Sequence, residues 1–324
     1  MTALRLLAII NPISGTHSGK EYVPEIIEHV IDPEKYEVTV RFTQYAGHAT
    51  TLARHAIEEN YYGVLAIGGD GTINEVATAL RNSNVALGII PCGSGNGLAR
   101  HLEIPMAIEE ALKVINENHI QPFDYGMVND RPFFCTCGVG FDAHVSKKFA
   151  ESKTRGPMTY LKNTLMEYIK YKCEDYVIEC DGKILSEKAF VIACGNASQY
   201  GNNAFITPHA DMQDGKLDVT VIHPFTPLDS AMIGLLLFAK HIDQDTNIYS
   251  FRAKEFTIHR PKEAVMHLDG EPVMMPADLH IRIVHYGIRI FVQKEDEPKK
   301  KSVIQVLDEG FWGWVSSIRK ELNV

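Results

Sequence analysis

Val64-Leu65-Ala66-Ile67-Gly68-Gly69-Asp70-Gly71-Thr72-Ile73-Asn74-Glu75 decides the fold. The apolar run ahead of the glycines is too short for a helix and reads as a buried strand. The glycines permit positive φ and let an anion approach the backbone closely. Thr72 and Glu75 have the S/T-x-x-E spacing of a capping box, so a helix over 72–80 is expected to start there. Its N-terminus would offer free N–H groups to a phosphate. Asp70 stands where a carboxylate could hold Mg2+ against phosphate oxygens.

Outward from this loop the first third of the chain alternates strand and helix. Strands are expected at 4–10, 36–43, 64–67 and 85–90, and helices at 18–31, 48–59, 72–80 and 108–116. That succession implies a mostly parallel sheet with helices on both faces, whose ligands sit at the carboxyl ends of the strands. Two further loops stand at such ends: Asn11-Pro12-Ile13-Ser14-Gly15 and Pro91-Cys92-Gly93-Ser94-Gly95-Asn96. Any one loop is equally a tight turn, but three on one sheet edge can converge on one ligand.

From about Phe123 onward strands dominate. Runs 174–180 and 184–194 flank Asp181-Gly182, a hairpin signal; 217–223, 249–259, 264–268, 279–284 and 288–292 are further strands. Helices are expected at 143–150, 160–171 and 228–239. The fold class is therefore an N-terminal α/β domain with a parallel sheet (1–123), followed by a mainly antiparallel β domain (124–293). Residues 294–301 form a charged linker. Beyond it Val303, Leu307, Phe311, Trp314, Ile318 and Leu322 recur at helical spacing, an amphipathic stripe able to dock on the protein or lie on a membrane.

The 324 residues suffice for two cores, and the net charge of -9 argues against non-specific nucleic-acid binding. The six cysteines include no C-x-x-C pair, which reads as reduced thiols in a cytoplasmic protein. The 14 histidines show no metal-ligand spacing. No signal peptide or membrane-spanning run is expected.

In order along the chain, the motifs Asn11-Pro12-x-Ser14-Gly15, 68–72 with Asn74-Glu75, Pro91-x-Gly93-Ser94-x-Asn96, Gly138-x-Gly140-Phe141-Asp142-Ala143, Asp214-Gly215-Lys216-Leu217-Asp218 and Asp269-Gly270-Glu271 resemble the diacylglycerol kinase catalytic-domain family. That family includes bacterial lipid kinases and sphingosine kinases, and the likeness runs from Asn11 to about Val292. It implies an NAD kinase/diacylglycerol kinase-like fold and transfer of phosphate from ATP, with Mg2+, to the hydroxyl of a membrane lipid, most naturally diacylglycerol. It also implies peripheral membrane contact. ATP would be held by residues matching Asn11, Pro12, Ser14, Gly15, Thr43, Gly68, Gly69, Asp70, Gly71, Thr72, Glu75, Gly93, Ser94 and Asn96. Glu271 matches the proton acceptor, with Asp70 as organiser of magnesium and water. Asp211, Asp214 and the backbone carbonyl of Lys216 match a second, structural magnesium site. Asp142 and Asp124 would face the lipid head group, although Asp142 also suits a helix N-cap.

Gly68 and Thr72 depart from the sphingosine-kinase pattern, which has serine and a bulky residue there, and lean toward the bacterial diacylglycerol-kinase branch. A sphingoid-base kinase, an NAD kinase and a non-catalytic lipid-binding regulator remain as alternatives. An exposed strand edge in the β domain could make a homodimer.

Overall fold

The computed structural model describes residues 3–15, 20–151, 171–226 and 229–294. The helix expected at 160–171 falls almost wholly outside them, and the linker and C-terminal stripe lie beyond them. Strands β1 (Leu4–Ile10), β2 (Tyr36–Phe42), β3 (Gly63–Gly68) and β4 (Ala86–Pro91) form a parallel sheet in the order β2-β1-β3-β4. β3 and β4 are buried along their whole length, as strands covered on both faces must be. Helices α1 (Val23–Val30), α2 (His48–Glu58), α3 (Asp70–Leu80), α4 (Gly97–His101) and α5 (Ile108–Asn116) complete this half. The runs of the sequence account for β1–β4, α2, α3 and α5 to within two residues; α1 starts at Val23, later than expected, and α4 was not expected.

Next come β5 (Ile120–Val128), β6 (Arg131–Phe133), β7 (Thr136–Gly140), α6 (Phe141–Glu151), β8 (Glu174–Cys180), β9 (Lys183–Ala189), β10 (Val191–Gly195), β11 (Leu217–Ile222) and α7 (Asp229–Phe238). They are followed by β12 (Ile248–Ala253), β13 (Glu255–His259), β14 (Ala264–Leu268), β15 (Glu271–Met275) and β16 (Asp278–Phe291). Six of these strands form an antiparallel sheet in the order β12-β11-β10-β7-β14-β15. The others extend the first sheet to ten strands, with β16 alongside β4 and then β13, β8 and β9. A core of residues such as Phe133, Val139, Ile192, Val219, Ile258 and Ile281 fills the space between the two sheets.

The boundary expected at Phe123/Asp124 falls inside β5, and β16 returns to the first sheet through Ile290 opposite Leu87. Residues 1–292 accordingly form one compact unit. Three readings of single strands are corrected. The run 184–194 is two strands that change sheets at Phe190, whose N–H bonds to Ile222 O and whose carbonyl accepts Phe141 N–H. The run 249–259 likewise breaks at Lys254, whose carbonyl accepts Ile283 N–H. At Phe190 the pattern passes from half-exposed to uniformly buried, and across Lys254 the inward positions shift from Phe251 and Ala253 to Phe256 and Ile258, a slip that marks the break. Conversely, 279–284 and 288–292 are one strand, β16, with an irregularity between Val284 and Ile288.

Candidate active site

The three loops meet. They follow β1, β3 and β4, which are neighbours in the sheet, and the first and third are stitched to the central one by Asn11 N–H to Ile67 O and Cys92 N–H to Gly68 O. Asn11 Nδ2 donates to Thr72 Oγ1 at 2.9 Å. Both Asp70 oxygens accept backbone N–H groups of the third loop, from Asn96 and Gly97 at 2.8 Å each. A Cβ on Gly93 would lie 2.7 Å from Gly69 Cα, and one on Gly15 would lie 2.1 Å from Cys92 O. Gly15 is also held at φ +78°. Thr43, at the end of β2, donates its N–H to Ile10 O and so borders the same edge. Ser94 lies exposed at the tip of the third loop.

The positive φ expected of the central-loop glycines is not used. Gly68, Gly69 and Gly71 are absent from the positive-φ residues. Gly68 is required because a Cβ there would enter the Thr72 side chain at 2.5 Å, and Gly69 because Gly93 packs on it. The capping box does not form either. α3 begins at Asp70 with Gly69 as its N-cap and no side-chain cap. The Glu75 carboxylate instead accepts N–H groups of Gly47 and Ala49, at 2.9 and 3.1 Å, and so caps α2. An unpaired helix N-terminus was available to it across the helix pair, and sequence spacing cannot see that.

Lys20 escaped the sequence reading. It is 3% exposed and donates to Asn11 O at 3.1 Å and to Ser14 Oγ. Burial lowers its pKa, and an ammonium buried on neutral partners beside a phosphate-type loop would gain from a nearby anion. Its only trace in the sequence is a lysine shortly after the Ser14-Gly15 turn.

The β half supplies the opposite wall. β14 and β15 are joined by Asp269-Gly270 at φ 49° and 85°, the left-handed pair that a tight hairpin demands. The Asp269 carboxylate accepts four donors: Phe134, Cys135 and Thr136 N–H at 2.8, 2.7 and 3.0 Å, and Asn74 Nδ2 of α3 at 2.7 Å. Burial pushes its carboxyl up, and these donors oppose the shift. Asn74 thus docks the hairpin onto the helix of the central loop. Glu271, the next residue but one, is exposed, with Oε1 3.9 Å from where a Gly71 Cβ would stand.

Asp142, at the start of α6, accepts the Tyr200 hydroxyl at 2.9 Å and lies 3.0 Å from His267 Nε2. Its other oxygen accepts Ala143 N–H; α6 already begins at Phe141, so Asp142 lies in the first helical turn and is not the N-cap expected from the sequence. The Tyr200 segment packs on the third loop, where Gly201 abuts Gly95. His101 of α4 joins the two halves: Ser198 N–H donates to its Nδ1 at 3.1 Å, and burial lowers its pKa to about 4.

Asp124 does not face a head-group site. It is fully buried, accepting Gly215 N–H at 2.8 Å and Tyr286 N–H at 2.7 Å, with His285 Nδ1 at 2.8 Å. An aspartate in a β-rich stretch is more economically used to tie down irregular backbone, here the turn at Gly215 and the kink in β16. Asp211, Asp214 and Lys216 lie on that same turn.

Comparison with known proteins gives this arrangement its place. Residues 5–128 match the family model described as "Diacylglycerol kinase catalytic domain", and residues 135–291 that described as "YegS C-terminal NAD kinase beta sandwich-like domain". A "Probable lipid kinase YegS-like" of Klebsiella pneumoniae is 31% identical over 84% of this chain and 94% of its own length. A "Diacylglycerol kinase" of Staphylococcus aureus is 30% identical, over 82% and 86% respectively. Among solved structures, a diacylglycerol kinase from Bacillus anthracis superposes with TM-score 0.67 at 20% identity over 89% of this chain and 97% of that one. An NAD kinase from Archaeoglobus fulgidus in complex with ATP gives 0.51 at 14%, over 90% and 94%. These two share the fold. Fold and loops together define a kinase with a parallel α/β half and an antiparallel β sandwich, as expected from the sequence. The chain belongs to the diacylglycerol kinase catalytic-domain family.

Proposed function

We propose that this kinase transfers the γ-phosphoryl group of ATP to the hydroxyl of a membrane lipid, with diacylglycerol the first candidate. The observation that carries the reading is the approach of Glu271, from the β sandwich, to Gly71 in the central loop. It sets a free carboxylate at the mouth of a three-loop cradle. Phosphoryl transfer has a loose transition state, so positioning and charge neutralisation supply most of the catalysis. The loop amides and the α3 N-terminus would receive phosphate oxygens, with Lys20 adding a positive charge. Glu271 would accept the proton of the attacking hydroxyl. Asp142, oriented by Tyr200 and His267, would hydrogen-bond the head group beside it.

Among the described residues no cluster of three or more His, Cys, Asp or Glu could cage a metal ion. A nucleotide-borne Mg2+ needs only one or two carboxylates, and Asp70 suits that, with one N–H donor on each oxygen and lone pairs to spare. Such an ion would neutralise phosphate charge. No helix among the described residues is long and apolar enough to cross a membrane, so the lipid would have to be met at the bilayer surface.

Radiolabelled ATP offered with a lipid panel in mixed micelles tests the reading. Label on diacylglycerol, reduced by at least about 10²-fold in Glu271→Ala, is expected from loss of a general base. Label on a sphingoid base would move the substrate, and label on NAD would overturn the lipid reading.

A further inference from the structure

The family resemblance assigns a structural magnesium ion to Asp211, Asp214 and the Lys216 carbonyl, and the side chains around that turn do not fit one. Asp211 Oδ1 accepts Gln213 N–H and Asp214 Oδ1 accepts Lys216 N–H, each at 2.9 Å, which fixes how the two carboxylates are turned but leaves lone pairs on both. The remaining oxygen of Asp214, Oδ2, receives Arg252 Nη2. Arg252 Nε donates to Asp218 Oδ2 at 3.1 Å. The Arg252 side chain is 42% exposed, and its place is set by strand pairing. Arg252 stands directly opposite Asp218 in the β11–β12 register, which aims its guanidinium at the turn.

A magnesium ion wants about six oxygens in a near-octahedral shell. Here the second oxygen of Asp214 is already paired with a guanidinium, whose charge would repel a divalent ion held by the same carboxylate. The planar guanidinium has the donors to bridge two carboxylates at once, which an ammonium does less well. We infer that Arg252 takes the place of the structural metal, bridging Asp214 and Asp218 so that this turn is held without a divalent ion. The consequence reaches further than the turn. Gly215 N–H is the donor to buried Asp124, which also holds Tyr286 in the kink of β16. The guanidinium therefore steadies a contact between the turn ahead of β11 in one sheet and the β5–β16 pair in the other.

The test uses the nucleotide-free full chain and reads stability, so it is independent of which lipid, if any, is phosphorylated. Thermal unfolding is followed in EDTA and then in millimolar MgCl2, with NaCl matching ionic strength. The expected result is an unchanged Tm for the parent, a lower Tm for Arg252→Met in EDTA, and partial recovery in Arg252→Lys. The methionine keeps the apolar stem of the side chain and removes the charged head, so the comparison separates bridging from stem packing. A parent Tm that climbs with Mg2+, with the climb abolished in Asp214→Asn, would overturn the inference. So would an Arg252→Met chain as stable as the parent. Should Arg252→Met not fold, the magnesium titrations of parent and Asp214→Asn still decide the matter.

Discussion

Replacing Asp269 by alanine tests how the β sandwich delivers Glu271 to the loops. The substitution removes one carboxylate and strands four donors: three backbone N–H groups of 134–136 and Asn74 Nδ2. A buried donor left unpaired costs about 1–3 kcal/mol, and water entering the vacated space relieves part of that. The expected loss is about 3–6 kcal/mol. For the unit of 292 residues the unfolding entropy makes each degree worth roughly 0.6 kcal/mol, so Tm should fall by about 5–10 °C. Asp269→Asn keeps one acceptor oxygen and presents an NH2 to the remaining donors, so about half that loss is expected. Turnover should drop in both, because the hairpin that carries Glu271 loses its tie to α3. Glu271→Ala, by contrast, removes an exposed side chain and should leave Tm unchanged. Calorimetry beside a kinase assay reads both quantities. A Tm within a degree of the parent for Asp269→Ala, with normal turnover, would refute the reasoning.

Two further outcomes can be checked directly. His101, lowered to about 4 from its ordinary 6.5, is a base that the folded state keeps neutral. The unfolded chain therefore binds the extra proton first, and stability is full above pH 6.5 and lost as pH falls toward 4, by up to about 3 kcal/mol. Urea unfolding at pH 7 and pH 5 should show His101→Gln losing less between the two than the parent does; parallel losses would discard the assignment. Gly15→Ala faces both a positive φ and a Cβ 2.1 Å from Cys92 O, so the first loop must move off the third. Its KM for ATP should rise at least about tenfold, as expected for loss of a positioned binding contact, while an unchanged KM would separate that loop from the nucleotide.

The strands β1, β3 and β4, the loops behind them and the Asp269-Gly270 hairpin were legible in the sequence because each is a local event. A short apolar run closed by glycines has few alternatives, and two adjacent turn residues at left-handed φ announce themselves as Asp-Gly. So the fold class, the family and most of the loop residues follow from sequence alone. The partners of charged side chains did not, because they are chosen across space. Glu75 caps a neighbouring helix rather than its own, Asp124 holds backbone rather than a head group, and Asp214 faces an arginine rather than an open coordination shell. Lys20 is marked by burial, a property no spacing reveals. The strand breaks at Phe190 and Lys254 leave a local trace, the end of alternation at the first and a slip in its phase at the second, but only packing decides which sheet each piece joins. Sequence set the elements and the chemistry on offer; tertiary structure assigned each charge its counterpart, because in a buried or crowded site the nearest unsatisfied donor wins whatever its distance along the chain.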